Sequence, residues 1–507
     1  MNNHRWLALG VLSLALAPSL RAADRDVEAL AAKIDERVAA AWGQDVKPAP
    51  LAGDAEFFRR AHLDLAGRIP SVTEARDFLD DDRADKRRLW VERILRADPD
   101  DPSYRTAYVN HFSNVWRAWL LARTGQQGQF RQPALETWLR QRLKANAGYD
   151  RLVRELLTQP LGGNQDPGRG EGSAAVFYQA NELKPENLAG STARLFLGVT
   201  IECAQCHNHP FDKWTRTQFW EYAAFFTDVA PQGKPGPRGE IKAPNQDKTI
   251  RARFLDGKEP QWKDGSGTRP TLAEWMTAPD NPYFARAAVN RLWAYFLGTG
   301  LADPADRPGD ERPAAHDALL NELAGGFADH KYDVKFLIRA ITASQAYQRS
   351  SAVSHPSHKD PRLFARMPLR GLSPEQLFDS LAEATEYQDA TPGNAQSARG
   401  QFLARFPAQE HKTDYQTSIL QALYLMNNEF IADRSSLEKN RTLATLAEQR
   451  TSTARKVESL YLVVLSRKPR PEESERFVKY VEKGDPKKAL ADVFWVLLNS
   501  PEFILNH

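Results

Sequence analysis

Residues 57–74 read Phe-Phe-Arg-Arg-Ala-His-Leu-Asp-Leu-Ala-Gly-Arg-Ile-Pro-Ser-Val-Thr-Glu, and this stretch predicts a helix, a turn and a second helix. Gly67 suits the turn, because glycine adopts a left-handed backbone conformation without strain. Ser71 is a suitable N-cap for the second helix, and Glu74 three residues later completes a capping box. The same helical signals continue in both directions along the chain.

Helical periodicity extends through most of the sequence, whereas strand signals are confined to short candidates between Glu240 and Leu255. In the clearest helix, Asn281 is a suitable N-cap, Pro282 fits the first helical position and Gly298 suits the stop. We therefore predict a mainly α fold. The helices are predicted over residues 24–42, 84–97, 103–122, 133–144, 149–158, 185–196, 215–226, 281–298, 314–328, 333–346, 373–385, 415–432, 442–466, 471–482 and 486–499.

The chain is too long to fold around one ordinary hydrophobic core. Its 507 residues predict about two domains. Proline, glycine and charged residues dominate residues 231–268, so we expect this segment to be a linker. The predicted architecture is two helical domains, over residues 24–230 and 269–507, joined by a Pro/Gly-rich linker with a few short strands.

The N-terminus has the composition of a secretory signal. His4 and Arg5 precede an apolar run from Trp6 to Leu16, and Arg21-Ala22-Ala23 offers a cleavage site. Residues 1–22 are therefore predicted to be a signal peptide, and the mature protein to be periplasmic or secreted. The alternative is a membrane anchor, for which the apolar run is short. No later apolar stretch is long enough to cross a bilayer, so we expect no membrane span after signal cleavage.

The charge balance is close to neutral. Lysine and arginine number 68 against 65 aspartate and glutamate, a formal net charge of +3. A hydrophobic fraction of 42% with 26% charged residues is typical of a globular chain. Because nucleic-acid-binding domains carry a basic patch or stripe, this balance argues against a nucleic-acid partner.

Residues 202–214 read Glu-Cys-Ala-Gln-Cys-His-Asn-His-Pro-Phe-Asp-Lys-Trp and contain the only two cysteines of the chain, Cys203 and Cys206. His207 follows directly, which gives the C-x-x-C-H spacing of covalent c-type haem attachment. There, two thiols add to the haem vinyl groups and the adjacent imidazole binds the iron as proximal ligand. The motif therefore predicts a covalent haem c cofactor and a redox role with a periplasmic electron-transfer partner.

Three other uses of this motif stay open. Zinc could be bound by Cys203 and Cys206 with His207 or His209 and Asp212, although a structural zinc site usually draws on a second pair of Cys or His ligands. The thiols could form a redox-active or structural disulfide, although the β-α-β pattern of thioredoxin-like proteins is absent. The histidines could also simply cap helices.

A haem iron bound to His207 leaves its sixth coordination position to be assigned. The aromatic stretches 104–122 and 215–226 could line a haem crevice, or they could be ordinary core. Each candidate sixth ligand has the same kind of alternative, as a buried or hydrogen-bonded side chain. These candidates are Met276, Met367, Met426, His62, His111 and His411.

A second polar constellation could bind a substrate or serve a hydrolase. Two of its members, Arg286 and Asn290, share one helical face at positions i and i+4. The alternative is an ion-pair network that braces the helix against the loop from Gly298 to Pro308. The full set is Arg286, Asn290, Arg291, Asp303 and Asp306.

The sequence resembles planctomycete-type secreted proteins that pair two domains of unknown function, numbered fifteen-forty-nine and fifteen-fifty-three. In the first half the resemblance is carried by Arg59-Arg60, Leu63-Asp64-Leu65, Gly67, Pro70, Glu202 to Asp212 and Trp214. In the second half it is carried by Asn281 to Arg286, Asn290-Arg291, Trp293, Gly298, Gly300-Leu301, Asp303-Pro304, Ser344, Tyr347, Leu372-Ser373, Glu375-Gln376 and the stretch from Leu497 to His507.

The resemblance implies an exported protein whose relatives are often encoded among enzymes that break down sulfated polysaccharides. It implies an architecture and not a reaction. A second hypothesis follows from it, in which the chain is a zinc- or disulfide-stabilised glycan-binding or glycan-processing protein without haem. In that case Arg286 and Arg291 would contact a sulfated polysaccharide.

Overall fold

The protein is mainly α, as its sequence predicts. The computed structural model describes residues 12–121, 132–161, 172–229, 238–244, 248–302, 314–388, 396–405 and 429–507. The helices of the first half are α1 (Leu12–Ala40), α2 (Asp54–Leu65), α3 (Val72–Leu79), α4 (Lys86–Arg96), α5 (Ala107–Leu120), α6 (Gln132–Lys144), α7 (Tyr149–Leu157), α8 (Ala175–Ala180), α9 (Pro185–Thr192) and α10 (Arg216–Ala223). Those of the second half are α11 (Thr268–Met276), α12 (Phe284–Leu297), α13 (Ala314–Asp329), α14 (Val334–Ala343), α15 (Gln345–Gln348), α16 (Pro374–Thr385), α17 (Ala398–Ala404), α18 (Glu429–Arg434), α19 (Arg441–Glu448), α20 (Thr453–Leu465), α21 (Pro471–Lys483), α22 (Pro486–Leu498) and α23 (Pro501–Ile504).

The turn between α2 and α3 forms as predicted. Ser71 Oγ accepts a hydrogen bond from the Glu74 backbone N–H (3.2 Å), and Glu74 Oε2 accepts one from the Ser71 N–H (2.7 Å), which completes the capping box. Gly67 has a φ of 75°, and a Cβ there would lie 2.3 Å from Nδ1 of His111. Position 67 therefore requires glycine both for its backbone and for the close approach of α5.

The helix signals around α12 are also confirmed. Asn281 Oδ1 accepts hydrogen bonds from the backbone N–H groups of Tyr283 (3.0 Å) and Phe284 (3.1 Å). Gly298 ends the helix with a φ of 81°. The regular helix therefore begins two residues later than the predicted first position, Pro282, and stops where it was expected.

Other boundaries differ from the predictions. The single helix predicted over 442–466 is two helices, α19 and α20, because Ser452 Oγ accepts a hydrogen bond from the Arg455 N–H (3.4 Å) and starts a new helix. Most of the predicted helix over 415–432 lies outside the described residues, and α18 begins near its end. Three helices were not predicted from the sequence: α8, α11 and α17.

Two small antiparallel sheets complete the described structure. Strands β1 (Glu240–Lys242) and β2 (Thr249–Arg251) lie within the predicted linker, with Ile241 opposite Ile250. Strands β3 (Arg370–Gly371) and β4 (Leu505–Asn506) pair the middle of the second half with residues close to His507. The first pair confirms the short strands that were expected in the linker.

One hydrophobic core extends across the predicted linker. It contains Phe112 and Trp220 from the first half, and Trp293 and Phe327 from the second. Helix α1 packs against α13 and α14, and α12 packs against a π-helical turn, Ala193–Leu197, that continues α9. Side chains from both predicted domains therefore contribute to this core.

A second core lies among the helices that follow Leu372. It contains Phe378, Val457 and Phe494, and two residues from the first half, Leu63 and Ile69, pack into it. Because the other apolar side chains of α2, such as Phe58, belong to the first core, α2 lies between the two cores.

Asp64 of α2 is 1% exposed and joins four separate segments of the chain. Its carboxylate accepts hydrogen bonds from Tyr347 Oη, Arg370 Nη2 and Asn506 Nδ2, each at 2.8 Å. Its backbone carbonyl accepts one from Tyr295 Oη at 2.9 Å. Burial and the Asp64 carboxylate raise the pKa of Tyr347 well above its usual value, which keeps the phenol a donor.

The two arginines before Asp64 are also buried. Arg59 donates to the backbone carbonyls of Val464 (3.1 Å) and Phe503 (2.9 Å). Arg60 donates to the carbonyls of Tyr347 (2.6 Å) and His507 (3.1 Å). These two guanidinium groups therefore satisfy backbone carbonyls of the second half of the chain. Burial lowers the pKa of Arg59 to about 10.

The backbone of α1 is helical through residues 22 and 23, where signal cleavage is predicted. Within the ranges that the structure describes, none of the helices has an apolar stretch of the length needed to cross a bilayer.

We expect Asp64→Asn to lower the free energy of unfolding by about 3 kcal/mol, because the buried Arg370 guanidinium loses its charge partner. Urea unfolding followed by circular dichroism measures the change. Asp433→Asn is the matched control, since its exposed pair with Lys439 is worth less than about 1 kcal/mol. Equal losses in the two variants would contradict this role of Asp64.

We also expect a protease cut between residues 231 and 268 to leave the two fragments associated, because the first core contains side chains from both. Size-exclusion chromatography of the nicked protein without denaturant should give one peak that contains both fragments. Two separate native peaks would show that the halves fold independently.

Candidate functional site

The C-x-x-C-H motif lies in a loop between two helical segments of the first half. The π-helical turn Ala193–Leu197 ends at Gly198, whose φ is 65°. A 3-10 turn, Glu202–Gln205, then carries the first thiol, and α10 begins at Arg216 with a capping box between Thr215 and Gln218. The motif is thus an exposed loop with a structured element at each end.

Buried side chains anchor both ends of this loop. Ile201, Ala204 and Trp214 lie in the first core. The Gln205 carbonyl accepts a hydrogen bond from Nε1 of Trp220 at 3.1 Å. The segment between Cys206 and Lys213 is therefore held at its ends while most of its side chains face solvent.

Cys203 and Cys206 are free thiols, and both are exposed. The backbone of the first lies in the 3-10 turn and that of the second is its C-cap, with φ −100° and ψ −37°. Residues three apart in a 3-10 helix lie one above the other along the axis, so this spacing favours thiols on the same side of the turn. This arrangement suits one ligand that receives both sulfur atoms.

His207 presents a single ring nitrogen for coordination. Its Nδ1 lies 2.7 Å from the backbone carbonyl oxygen of Asn208. Because a carbonyl oxygen can only accept a hydrogen bond, Nδ1 carries the proton and donates it. In the neutral imidazole, Nε2 then keeps its lone pair, which is the form that binds a metal ion.

His209 has the opposite tautomer. The Phe211 backbone N–H donates to its Nδ1 at 3.2 Å, which leaves the proton on Nε2 of the neutral ring. Its own backbone N–H donates to the Trp214 carbonyl at 2.8 Å. His209 therefore closes the turn from 209 to 214.

Asp212 is also occupied by local structure, since its Oδ1 accepts a hydrogen bond from the Lys213 backbone N–H at 2.6 Å. Among the residues that the structure describes, no three His, Cys, Asp or Glu side chains are grouped as a metal site. The zinc set of Cys203, Cys206, His207 or His209, and Asp212 is therefore not preformed.

The candidate sixth ligands lie elsewhere. Met276 and Met367 are buried in the first core. His62 Nε2 lies 2.7 Å from Tyr104 Oη, and His111 Nε2 lies 2.6 Å from Tyr295 Oη. Burial lowers the pKa of His62 to about 3, so this ring is neutral. The last two candidates, Met426 and His411, lie outside the described residues.

The aromatic stretches 104–122 and 215–226 pack as core. Trp116 contacts Tyr149 with ring centroids 5.3 Å apart, and Phe225 stacks on Phe254 at 4.9 Å. These side chains therefore pack against other core residues, which is the alternative that the sequence left open.

The second constellation divides between two partners. Arg286 donates to Asn321 and lies 3.5 Å from Asp317, both on α13. Arg291 donates instead to the Arg194 carbonyl (3.1 Å) and the Leu195 carbonyl (3.3 Å) of the π-helical turn. The two guanidinium groups engage different elements, and neither bonding pattern involves the other arginine.

Asn290 braces α12 against the following loop. Its Oδ1 accepts a hydrogen bond from the Ala302 N–H at 2.9 Å, and its Nδ2 donates to the Ala302 carbonyl. The bracing that the sequence offered as the alternative to substrate binding is thus present at Asn290, but it is made by hydrogen bonds and not by ion pairs. The remaining two members, Asp303 and Asp306, lie outside the described residues.

Two residues of the site were not singled out from the sequence. Asn208 orients His207 through its carbonyl, and its Oδ1 accepts a hydrogen bond from the Arg216 N–H at 3.0 Å. Phe211 is 71% exposed at the tip of the loop. An asparagine that follows the motif in a loop is a turn signal and could have suggested the first.

The comparisons with known proteins identify two domains and no activity. A family model described as a protein of unknown function (DUF1549) matches residues 33–231. A second, described as a protein of unknown function (DUF1553), matches residues 268–416 and 404–481. The interval between the two matches is the predicted linker. Searches among curated proteins and among solved structures found no match.

We expect Arg291→Ala to lower the free energy of unfolding by about 2 kcal/mol, because the carbonyls at the π-helical turn lose a charged donor. Arg286→Ala, on the same helix but with a half-exposed side chain, should cost less than about 1 kcal/mol. Urea unfolding of the two variants makes the comparison. An unchanged free energy of unfolding in Arg291→Ala would contradict the structural role of this residue and favour a role in binding.

Proposed function

The chain belongs to the proteins that pair a DUF1549 domain with a DUF1553 domain, and from that premise we propose that it is an exported c-type haem protein with an electron-transfer or other redox role. Cys203 and Cys206 would hold the haem covalently, and His207 would be its proximal ligand. The observation that carries the proposal is the combination of two exposed thiols three residues apart at a 3-10 turn with an adjacent imidazole whose Nδ1 donates to the Asn208 carbonyl.

The thiols fit the attachment chemistry. Each S–H adds across one vinyl group, so that one S–C and one C–H bond form and no atom leaves. The reaction needs both sulfurs on one side of the backbone, which the 3-10 turn at Glu202–Gln205 favours. It also needs access to solvent, and both cysteines are exposed.

The imidazole fits the proximal position. The Asn208 carbonyl holds the Nδ1 proton of His207, which selects the tautomer, orients the ring and makes Nε2 a better donor to a metal. His209 differs in this respect, because its Nδ1 accepts from the Phe211 N–H. The chain therefore distinguishes between two histidines that its sequence places only two residues apart.

When bound, the haem would supply reversible one-electron chemistry at iron. The protein's own contribution is to fix the attachment turn and to expose it. Because Cys203, Cys206 and His207 all face solvent, an electron would enter or leave at the surface of the first domain.

The other uses of the motif have less support. Zinc lacks a preformed set of three ligands among the described residues. A disulfide would use both thiols but would leave the orientation of His207 without a function. Glycan binding through Arg286 and Arg291 loses its shared anion site, because the two arginines engage different elements.

The test is expression with and without a cytochrome c maturation system, followed by intact mass and visible absorption spectra. We expect one haem per chain in the presence of the maturation system, and none in Cys203→Ser or Cys206→Ser. A colourless protein with unmodified cysteines after co-expression would contradict the proposal. Metal analysis and thiol titration of that same sample would then separate zinc from a disulfide.

Two histidine variants test the proximal assignment. In His207→Ala, the haem should be added with a reduced yield, and its spectrum should change because the iron loses its nitrogen ligand. His209→Ala is the matched control and should keep the wild-type spectrum. A spectral change in His209→Ala that exceeds the one in His207→Ala would reverse the assignment.

A further inference from the structure

Cationic side chains lie on the C-x-x-C-H loop, on α10 and on the β1–β2 hairpin that packs against α10. Lys213 is the last exposed residue of the loop, and Arg216 opens α10 directly behind it. Lys242 ends β1, and Lys248 immediately precedes β2. These four residues, Lys213, Arg216, Lys242 and Lys248, are called the basic rim below.

Arg216 connects the loop to the β1–β2 hairpin. Its Nη2 donates to the Pro244 carbonyl at 2.7 Å, and its Nε donates to the Gln205 carbonyl at 3.4 Å. Pro244 is two residues beyond Lys242, and Lys242 lies opposite Thr249, the neighbour of Lys248. The hairpin lysines are therefore held beside the turn that carries the two thiols.

The charges of the basic rim are not neutralised by ion pairs with carboxylates of the described residues. Lys213 Nζ lies 5.1 Å from the centre of the Trp214 ring, and Arg216 donates to carbonyl oxygens. Two acids of the same elements are paired with other groups: Glu202 pairs with Arg194, and Glu240 pairs with Arg251. The rim is thus a local excess of positive charge on a chain whose net charge is only +3.

An apolar side chain lies within this positive surface. Phe211 is 71% exposed, and the hydrogen bond from its N–H to His209 Nδ1 helps to hold its backbone in the turn. Asp212 is the single acid of the loop beyond Glu202, and the Lys213 N–H donates to it. An exposed aromatic residue with a charged surround has the composition of a protein-binding surface, in which aromatic anchors supply affinity and charges steer the approach.

We propose that the basic rim and Phe211 form the docking surface for an acidic protein that exchanges electrons at the Cys203–Cys206 turn. The electron exchange in this inference rests on the proposed function. The acidic character of the partner rests only on the charge of the surface. Positive charge around an exposed redox group would raise the association rate of a negatively charged partner. Phe211 would then pack against an apolar side chain of that partner.

Binding to acidic polypeptides of defined composition tests this surface. The probes are poly-L-glutamate, which supplies charge alone, and a random copolymer of glutamate and tyrosine, which adds aromatic groups. In the haem-loaded protein at low ionic strength, Lys213→Glu, Lys242→Glu and Lys248→Glu combined should weaken binding of both probes by at least about tenfold. Phe211→Ala should weaken binding of the copolymer more than that of poly-L-glutamate.

The matched control reverses three exposed lysines on the helices α21 and α22, Lys479, Lys483 and Lys488, and so makes the same change in net charge. Binding in this control should stay within about twofold of the wild type. Equal weakening in the two triple variants would overturn the proposal, because net charge alone would then explain the binding. Circular dichroism of both variants verifies that they are folded.

Dextran sulfate is the third probe, and it tests whether the surface binds an anionic glycan instead of a protein. If the rim variant loses dextran sulfate binding while it keeps both polypeptides, the surface binds a glycan and the proposal is wrong. The same titrations on Cys203→Ser/Cys206→Ser separate this inference from the proposed function. If the wild-type chain acquires no haem with the maturation system but its binding still depends on the rim, the docking surface is supported and electron exchange is wrong. If the wild-type chain acquires haem but its binding does not depend on the rim, the proposed function is supported and the docking surface is wrong.

Discussion

The structure depends on the burial of a charged helix. All residues of α2 from Phe57 to Leu65 are buried, and this includes two arginines, a histidine and Asp64. Burial of unpaired charges is costly, so α2 is stable only when its partners are in place. Those partners are Tyr347, Arg370 and Asn506 for Asp64, together with the carbonyls that Arg59 and Arg60 bind.

This constraint makes the two family domains one structural unit. The polar groups of α2 belong to the DUF1549 match, and most of their partners lie in or beyond the DUF1553 match. Leu63 and Ile69 add an apolar contact to the core of the second half. A polypeptide limited to the first domain would leave the Asp64 carboxylate and both guanidinium groups without these partners.

The C-x-x-C-H loop contrasts with this buried centre. Its ends are anchored by Ile201, Ala204 and Trp214, while its thiols, His207 and Phe211 face solvent. Rigid anchors with an exposed tip are typical of functional loops, because the scaffold positions groups that must reach another molecule. The hairpin β1–β2 of the linker also contributes to the site, because Arg216 connects it to the loop through a hydrogen bond to the Pro244 carbonyl.

The sequence by itself determined most of the helices, the capping box at Ser71, the glycine stops and the short strands of the linker, because these features depend on residues a few positions apart. The pairing of the two domains came from motifs spread over the whole chain that resemble a known family. It also identified the motif at Cys203, but not which histidine has a free Nε2, since that depends on the backbone groups that contact each ring. Only the tertiary structure decided that the charges of α2 are buried, that Arg291 serves the π-helical turn, and that one core crosses the linker. The physical reason is that an arginine or aspartate has the same local propensity whether it faces water or a carbonyl 405 residues away along the chain, as Arg59 does at Val464.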